Sequence, residues 1–195
     1  VVTPELHVRA REKISHPWFA PDQPPVIMGA GRLENQKDFS TLIRAVAKLQ
    51  QQRPVRLMIL GEGTKRPELE ALIGELGLTD SVAMPGFVSN PYAYMARASV
   101  FVLSSIWEGF GNVLVEAIAV GTPVVSTDCK SGPAEILENG KYGKLVAVGD
   151  VTGMAEAIAQ TLDYPPAPTE LQRRAERFST AKVLAEYRQI LQITE

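Results

Sequence analysis

Apolar and polar positions fall into blocks of two kinds along this chain. Short apolar runs recur at Val26-Ile-Met-Gly-Ala-Gly31, Val55-Arg-Leu-Met-Ile-Leu60, Val82-Ala-Met-Pro-Gly86, Ser99-Val-Phe-Val-Leu-Ser104, Pro123-Val-Val-Ser-Thr127 and, more weakly, Gly143-Lys-Leu-Val146. Runs of that length, bounded by glycine, proline or polar residues, read as buried strands. Between them the apolar spacing changes to three and four. Phe39, Leu42, Ile43, Val46 and Leu49 make one helical stripe, with Asp38 as its cap. Leu69, Leu72, Ile73 and Leu76 make a second, opened by Pro67 and closed by Gly77. Val113, Leu114, Ala117 and Ile118 make a third, with Asn112 as the expected N-cap and Gly121 and Pro123 ending it.

Shorter or later helices are expected at Tyr92, Met95 and Ala96, after Ser131-Gly-Pro-Ala-Glu135, and over Val151–Leu162. Tyr164-Pro-Pro-Ala-Pro168 breaks the chain. Two helices follow near 169–177 and 180–193, the second with Val183, Leu184, Tyr187, Ile190 and Leu191 at helical spacing. Strands and helices thus alternate six times. The expected fold is α/β, a Rossmann-like doubly wound parallel sheet of about six strands with helices on both faces. The expected division is a proline-punctuated linker over 1–25, packing on the domain through Trp18-Phe19, a Rossmann-like domain over 26–178, and a C-terminal helix over 179–195. Every polar segment of interest follows a strand, on the rim where open α/β sheets bind ligands.

Composition narrows the function. The 195 residues suit one domain or a domain with a tail, and 45% are hydrophobic without a run long enough to span a membrane. A net charge of −2 with no basic block argues against nucleic acid. The single Cys129 excludes an internal disulfide and fits a reducing, cytoplasmic setting. Two His and one Cys without clustered spacing give no metal signal. No signal peptide is visible. The chain opens Val1-Val-Thr-Pro without an initiator Met, which is expected of a processed chain or a piece of a longer one.

The chemistry concentrates in Glu108-Gly-Phe-Gly-Asn-Val-Leu-Val-Glu116. A strand, a glycine loop and a helix N-terminus together make an anion site, because unpaired N–H groups and the positive helix end point into the loop. Carboxylates flank it. Beside an anion they accept from hydroxyls attached to that anion, and a phosphate flanked by hydroxyls describes a sugar nucleotide. Glycine loops before helices are common, however, and a helix carboxylate can be ordinary surface; on the loop alone the two readings stand even. Arg32 and Lys37 follow the first strand and add two cations. Gly29-Ala-Gly31-Arg-Leu-Glu34 fails as a dinucleotide fingerprint, since Glu34 stands at its third small position.

In this order, Gly31-Arg-Leu33 with Lys37, Leu60-Gly-Glu-Gly63, Pro85-Gly-Phe87, Ser104-Ser-Ile-Trp-Glu-Gly-Phe-Gly111, the Glu108/Glu116 pair and Ala119-Val-Gly-Thr-Pro-Val-Val125 make the chain resemble the C-terminal, donor-binding half of retaining GT-B glycosyltransferases of the family-4 type. The likeness covers nearly the whole chain. Val120 stands where that family often has Cys. Ser131-Gly-Pro-Ala-Glu135 is similar to bacterial members that add hexoses or acetamido sugars to glycans and glycolipids.

The resemblance implies roles. Arg32 and Lys37 neutralise the donor pyrophosphate, with amides around Asn112, Val113 and Leu114. Glu116 accepts from the ribose. Glu108, with the amides of Phe110 and Gly111, holds the transferred sugar. Backbone near Val88 reads the base, and Gly61 lets the nucleotide lie close. The donor is a nucleotide-diphosphate sugar, UDP favoured, with no cofactor and no metal. The acceptor is a glycan or lipid held by a second domain, through which any contact with the cytoplasmic membrane face is expected. Three other readings stay open: a binding module without transferase activity, a nucleotide-sugar epimerase, and a nicotinamide enzyme, the last opposed by Glu34.

Overall fold

The computed structural model describes residues 2–190, with burial through Ala185. Six parallel strands form one sheet: β1 (Val26–Ala30), β2 (Arg56–Leu60), β3 (Val82–Gly86), β4 (Val100–Leu103), β5 (Val124–Thr127) and β6 (Lys144–Val146). Their order is β3-β2-β1-β4-β5-β6. The chain therefore builds outward from β1 in one direction, then returns to the other side of β1 with β4. Such a reversal opens a crevice beyond the carboxyl ends of the two middle strands.

The apolar runs serve two faces at once. Ile27, Leu57, Ile59, Val100, Val102 and Val125 enter one core, with Leu42, Ile43 and Val46 of α2 (Phe39–Gln50), Leu69, Leu72 and Ile73 of α3 (Arg66–Glu75), and Met154 and Ile158 of α7 (Val151–Asp163). Met28, Met58, Leu60, Phe101, Leu103 and Val124 point the other way. They meet Met95 of α4 (Pro91–Met95), Leu114, Val115 and Ile118 of α5 (Asn112–Ala119), Ile136 of α6 (Pro133–Ile136) and Leu171 of α8 (Pro168–Ala175). Side chains on a strand alternate between faces, so a strand covered on both sides must be apolar throughout. Truncating one of these large buried side chains to alanine costs about 2–5 kcal/mol.

The sequence reading is corrected in two places. Residues 4–10 were expected as linker but form helix α1 (Pro4–Ala10). Thr3 caps it, and Leu6, 2% exposed, anchors it in the second core. One buried leucine in seven residues gives no periodic stripe, so the pattern concealed it. Asn112 is not the N-cap of α5. Gly111 holds that position with φ of 92°, and Asn112 is the first helical residue. The helix at the C-terminus, α9, spans Thr180–Ile190; Leu191 of its expected stripe lies outside the described residues, as do the side chains of Tyr187 and Ile190. Among the described residues, no helix is long and apolar enough to cross a membrane.

Candidate functional site

The loops after β1 and β4 meet at the strand-order reversal. Ile106 N–H donates to Gln36 O at 2.8 Å, and Gln36 Nε2 donates to Trp107 O at 3.0 Å. Between these backbone ties, Lys37 Nζ donates to Glu108 Oε1 at 2.6 Å. The two side chains are 16% and 8% exposed. Lys37 is thus an ion-pair partner rather than a loose surface charge. Its ammonium carries three protons, and Glu108 takes one. Ser105 Oγ donates to the same Glu108 oxygen at 2.6 Å.

The anion cradle stands beside this pair. Gly111 adopts the left-handed backbone that turns the chain into α5, and its open Cα side is packed by Ile136 and Leu103. Asn112 and Val113 N–H donate to no described residue, as expected for the first turn of a helix. Leu114 differs. Its N–H donates to Gly111 O at 2.8 Å and its side chain is fully buried, so it is not a free donor to a ligand. Phe110 is held from behind by Phe178, edge to face at 5.6 Å between ring centres. Gly132, with φ of 94°, lies so near that a Cβ there would sit 1.7 Å from Phe110 O. The glycine loop is therefore fixed against α6.

Arg32, Gly61 and Val88 come together in a cavity of about 440 Å³, also lined by Ala30, Gly31, Leu60, Glu62, Phe87 and Pro91. Arg32 is exposed and its side chain has no partner among the described residues. The backbone of Val88 makes no hydrogen bond to a described residue, which leaves its N–H and C=O for an edge of a planar ligand. Phe87, 81% exposed, puts an aromatic face at the rim. Gly61 is required for a reason other than the one expected. A Cβ there would stand 1.9 Å from Gly31 O, at φ of 141°, so the neighbouring loop demands glycine before any ligand does. Glu34, which broke the dinucleotide fingerprint, accepts from Thr64 N at 3.1 Å and Thr64 Oγ1 at 2.9 Å. Those bonds hold its carboxyl below the usual range.

Glu116, four residues into α5, is half-buried. Loss of water pushes its carboxyl above the ordinary value of 4.5, and a bond from Tyr92 OH, at 3.5 Å to Oε1, partly offsets that. A carboxylate kept from water gains most from hydroxyls that donate to it. Sequence reasoning missed Ser105 and Tyr92. The signal for Ser105 was a polar pair, Ser104-Ser105, closing an apolar run; Tyr92 was visible only as one of a helix's apolar residues. Among the described residues, no group of three or more His, Cys, Asp or Glu is placed to hold a metal ion.

The family described as glycosyl transferases group 1 matches residues 10–178. A Campylobacter jejuni N-acetylgalactosamine-N,N'-diacetylbacillosaminyl-diphospho-undecaprenol 4-alpha-N-acetylgalactosaminyltransferase is 42% identical over 137 residues, 70% of this chain and 37% of that protein. The lipopolysaccharide core biosynthesis glycosyltransferase LpsE of Rhizobium meliloti is 38% identical over 176 residues, 88% of this chain and 51% of its own. The chain thus spans about half or less of these relatives. Among solved structures, Anabaena Alr3699/HepE in complex with UDP and glucose superposes with a TM-score of 0.78, at 27% identity over 87% of this chain and 48% of that one.

Proposed function

The chain belongs to the glycosyl transferases group 1 family, and on that premise we propose that it is the donor-binding half of a retaining GT-B glycosyltransferase. The observation that carries the reading is the Lys37–Glu108 pair, at 2.6 Å, set beside the two free amides of α5 at the strand-order reversal. A cation, helix-end donors and a held carboxylate in one crevice suit a diphosphate joined to a sugar. The donor lies with its base at Val88 and Phe87, its ribose on Glu116, its diphosphate between Arg32 and the N-terminus of α5, with Lys37 beside it, and its sugar at Glu108. HepE, seen with UDP and glucose, supports uridine as the base.

Breaking the bond between sugar and phosphate leaves positive charge on the sugar and negative charge on the diphosphate. Arg32, Lys37 and the amides of Asn112 and Val113 stand where the negative charge grows, and they need no rearrangement to meet it. Glu108 faces the positive centre and orients the sugar. The leaving phosphate takes the acceptor's proton, so no separate base is required. The acceptor is a glycan or a lipid-linked glycan, in line with what the Campylobacter and Rhizobium relatives are named for. A second domain supplies that acceptor, and no metal is used. Calorimetry of this chain with UDP, GDP and ADP tests the reading. The expected result is weak binding with UDP preferred. Absence of heat with all three at millimolar ligand would overturn it.

A further inference from the structure

Four hydroxyls lie buried where β4 and β5 end; Ser126 donates to Thr127 O at 2.8 Å, and the other three surround the Lys37–Glu108 pair. Ser104, 1% exposed, donates through Oγ to Lys37 O at 2.6 Å. Ser105 is 0% exposed and donates to Glu108 Oε1 at 2.6 Å. Thr127, also 0% exposed, donates to Ser105 O at 2.6 Å and lies 3.4 Å from Leu103 O. A buried hydroxyl costs free energy unless it is bonded, and apolar residues of similar size would fill this space without that cost. Each of the three is bonded to the Lys37–Glu108 pair or to the backbone that carries it. The loop backbone alone does not orient the carboxylate: the side chain of Glu108 has free torsions and a Gly109 neighbour with open space around its Cα.

We propose that Ser105 is a positioning residue for Glu108, fixing the carboxylate so that Oε1 is committed to Lys37 and Ser105 while Oε2 is presented to the transferred sugar. Both hydrogen bonds within the described residues go to Oε1. Two donors converging on one oxygen set the carboxylate plane, since a single donor leaves it free to rotate. Thr127 holds the Ser105 carbonyl and Ser104 holds the Lys37 carbonyl, so the two donors approach from fixed frames. The pair then meets the sugar with one acceptor oxygen in a defined direction, which is what pre-organised stabilisation requires. This inference rests on the donor-site reading above.

The test measures UDP and four UDP-sugars (glucose, galactose and their N-acetylamino forms) against this chain, by calorimetry, in wild type, Ser105→Ala and Ser105→Cys. Ser105 is 0% exposed and so offers a nucleotide no surface of its own. The expected result is unchanged UDP affinity, with the preferred UDP-sugar weakened about tenfold by Ser105→Ala and less by Ser105→Cys, whose thiol is a weaker donor. Thermal melts check folding, and Ser105→Cys, nearly the same size, carries the test if Ser105→Ala does not fold. An unchanged ratio of UDP-sugar to UDP affinity in the folded variant overturns the proposal. So does a wild type that binds UDP but gains nothing from any of the sugars. A wild type that binds no nucleotide overturns the donor-site reading instead.

Discussion

Lys37→Met separates a structural ion pair from a free phosphate ligand. Methionine keeps the length of the stem and removes the charge. In the wild type, Nζ lies 2.6 Å from Glu108 Oε1, with side chains 16% and 8% exposed. Removing one partner of a fully buried pair costs about 3–5 kcal/mol, because the other charge is left without compensation. Two features reduce that here. Some water reaches the pair, and Ser105 continues to donate to Glu108 at 2.6 Å. About 2 kcal/mol is therefore expected, which for a domain of this size lowers the melting temperature by about 4–8 °C. Glu108→Gln should cost less, about 1 kcal/mol, since the more exposed ammonium can find water. The double variant should lose less than the sum of the two. Urea titrations with constant m-value, run on all four proteins, provide the measurement. If Lys37→Met unfolds at the wild-type urea midpoint while UDP affinity collapses, the reasoning is wrong and Lys37 is a phosphate ligand held by nothing else.

Arg32 has no side-chain partner among the described residues, so Arg32→Ala should leave the melting temperature unchanged. It should weaken UDP about tenfold to a hundredfold and uridine hardly at all, as titration of both ligands will show. Burial raises the Glu116 carboxyl above 4.5, so the fold is helped while the group is protonated, and that help is lost as pH rises through the raised value. Glu116→Gln should therefore be at least as stable as wild type at neutral pH, with any advantage vanishing in acid. Ribose hydroxyls favour the ionised form, so uridine affinity should fall as pH drops through that value in wild type and stay level in Glu116→Gln. Gly132→Ala should cost about 2–4 kcal/mol from left-handed strain and overlap, since its Cβ would meet Phe110 O at 1.7 Å. The displaced loop should also lose UDP, and wild-type UDP affinity in a folded variant that shows the expected loss of stability would refute the link between α6 and the cradle.

Much of this was legible in the sequence because the signals were local. Each apolar run became a strand, trimmed at most by one residue at an end, as for Val55 before β2. Asp38 was readable as a cap because its carboxylate needs only the next turn, and it does accept from Thr41 N. Glu108 and Glu116 were readable together because only seven residues of loop and helix connect them. What was not legible depends on contacts between distant segments. Lys37 and Glu108 are 71 residues apart, so nothing in either stretch announced their ion pair. The requirement for Gly61 looked like room for a ligand, whereas the obstacle is Gly31 O across the sheet. Leu114 was expected to lend an amide, but the tight first turn of α5 uses it internally.

The strand order also governs how the chain must assemble. Residues through β3 can form only half of the sheet, with β1 at its open edge. The row of unpaired amides on that edge, flanked by Ile27 and Met28, would template pairing with another chain until β4 arrives. Closing that edge joins residues some 73 positions apart, Ile27 to Val100, a long-range step that slows folding. The same step brings the loop of Glu108 to the loop of Lys37. Acquisition of the crevice and disappearance of the sticky edge are thus a single kinetic event, and a probe of one times the other.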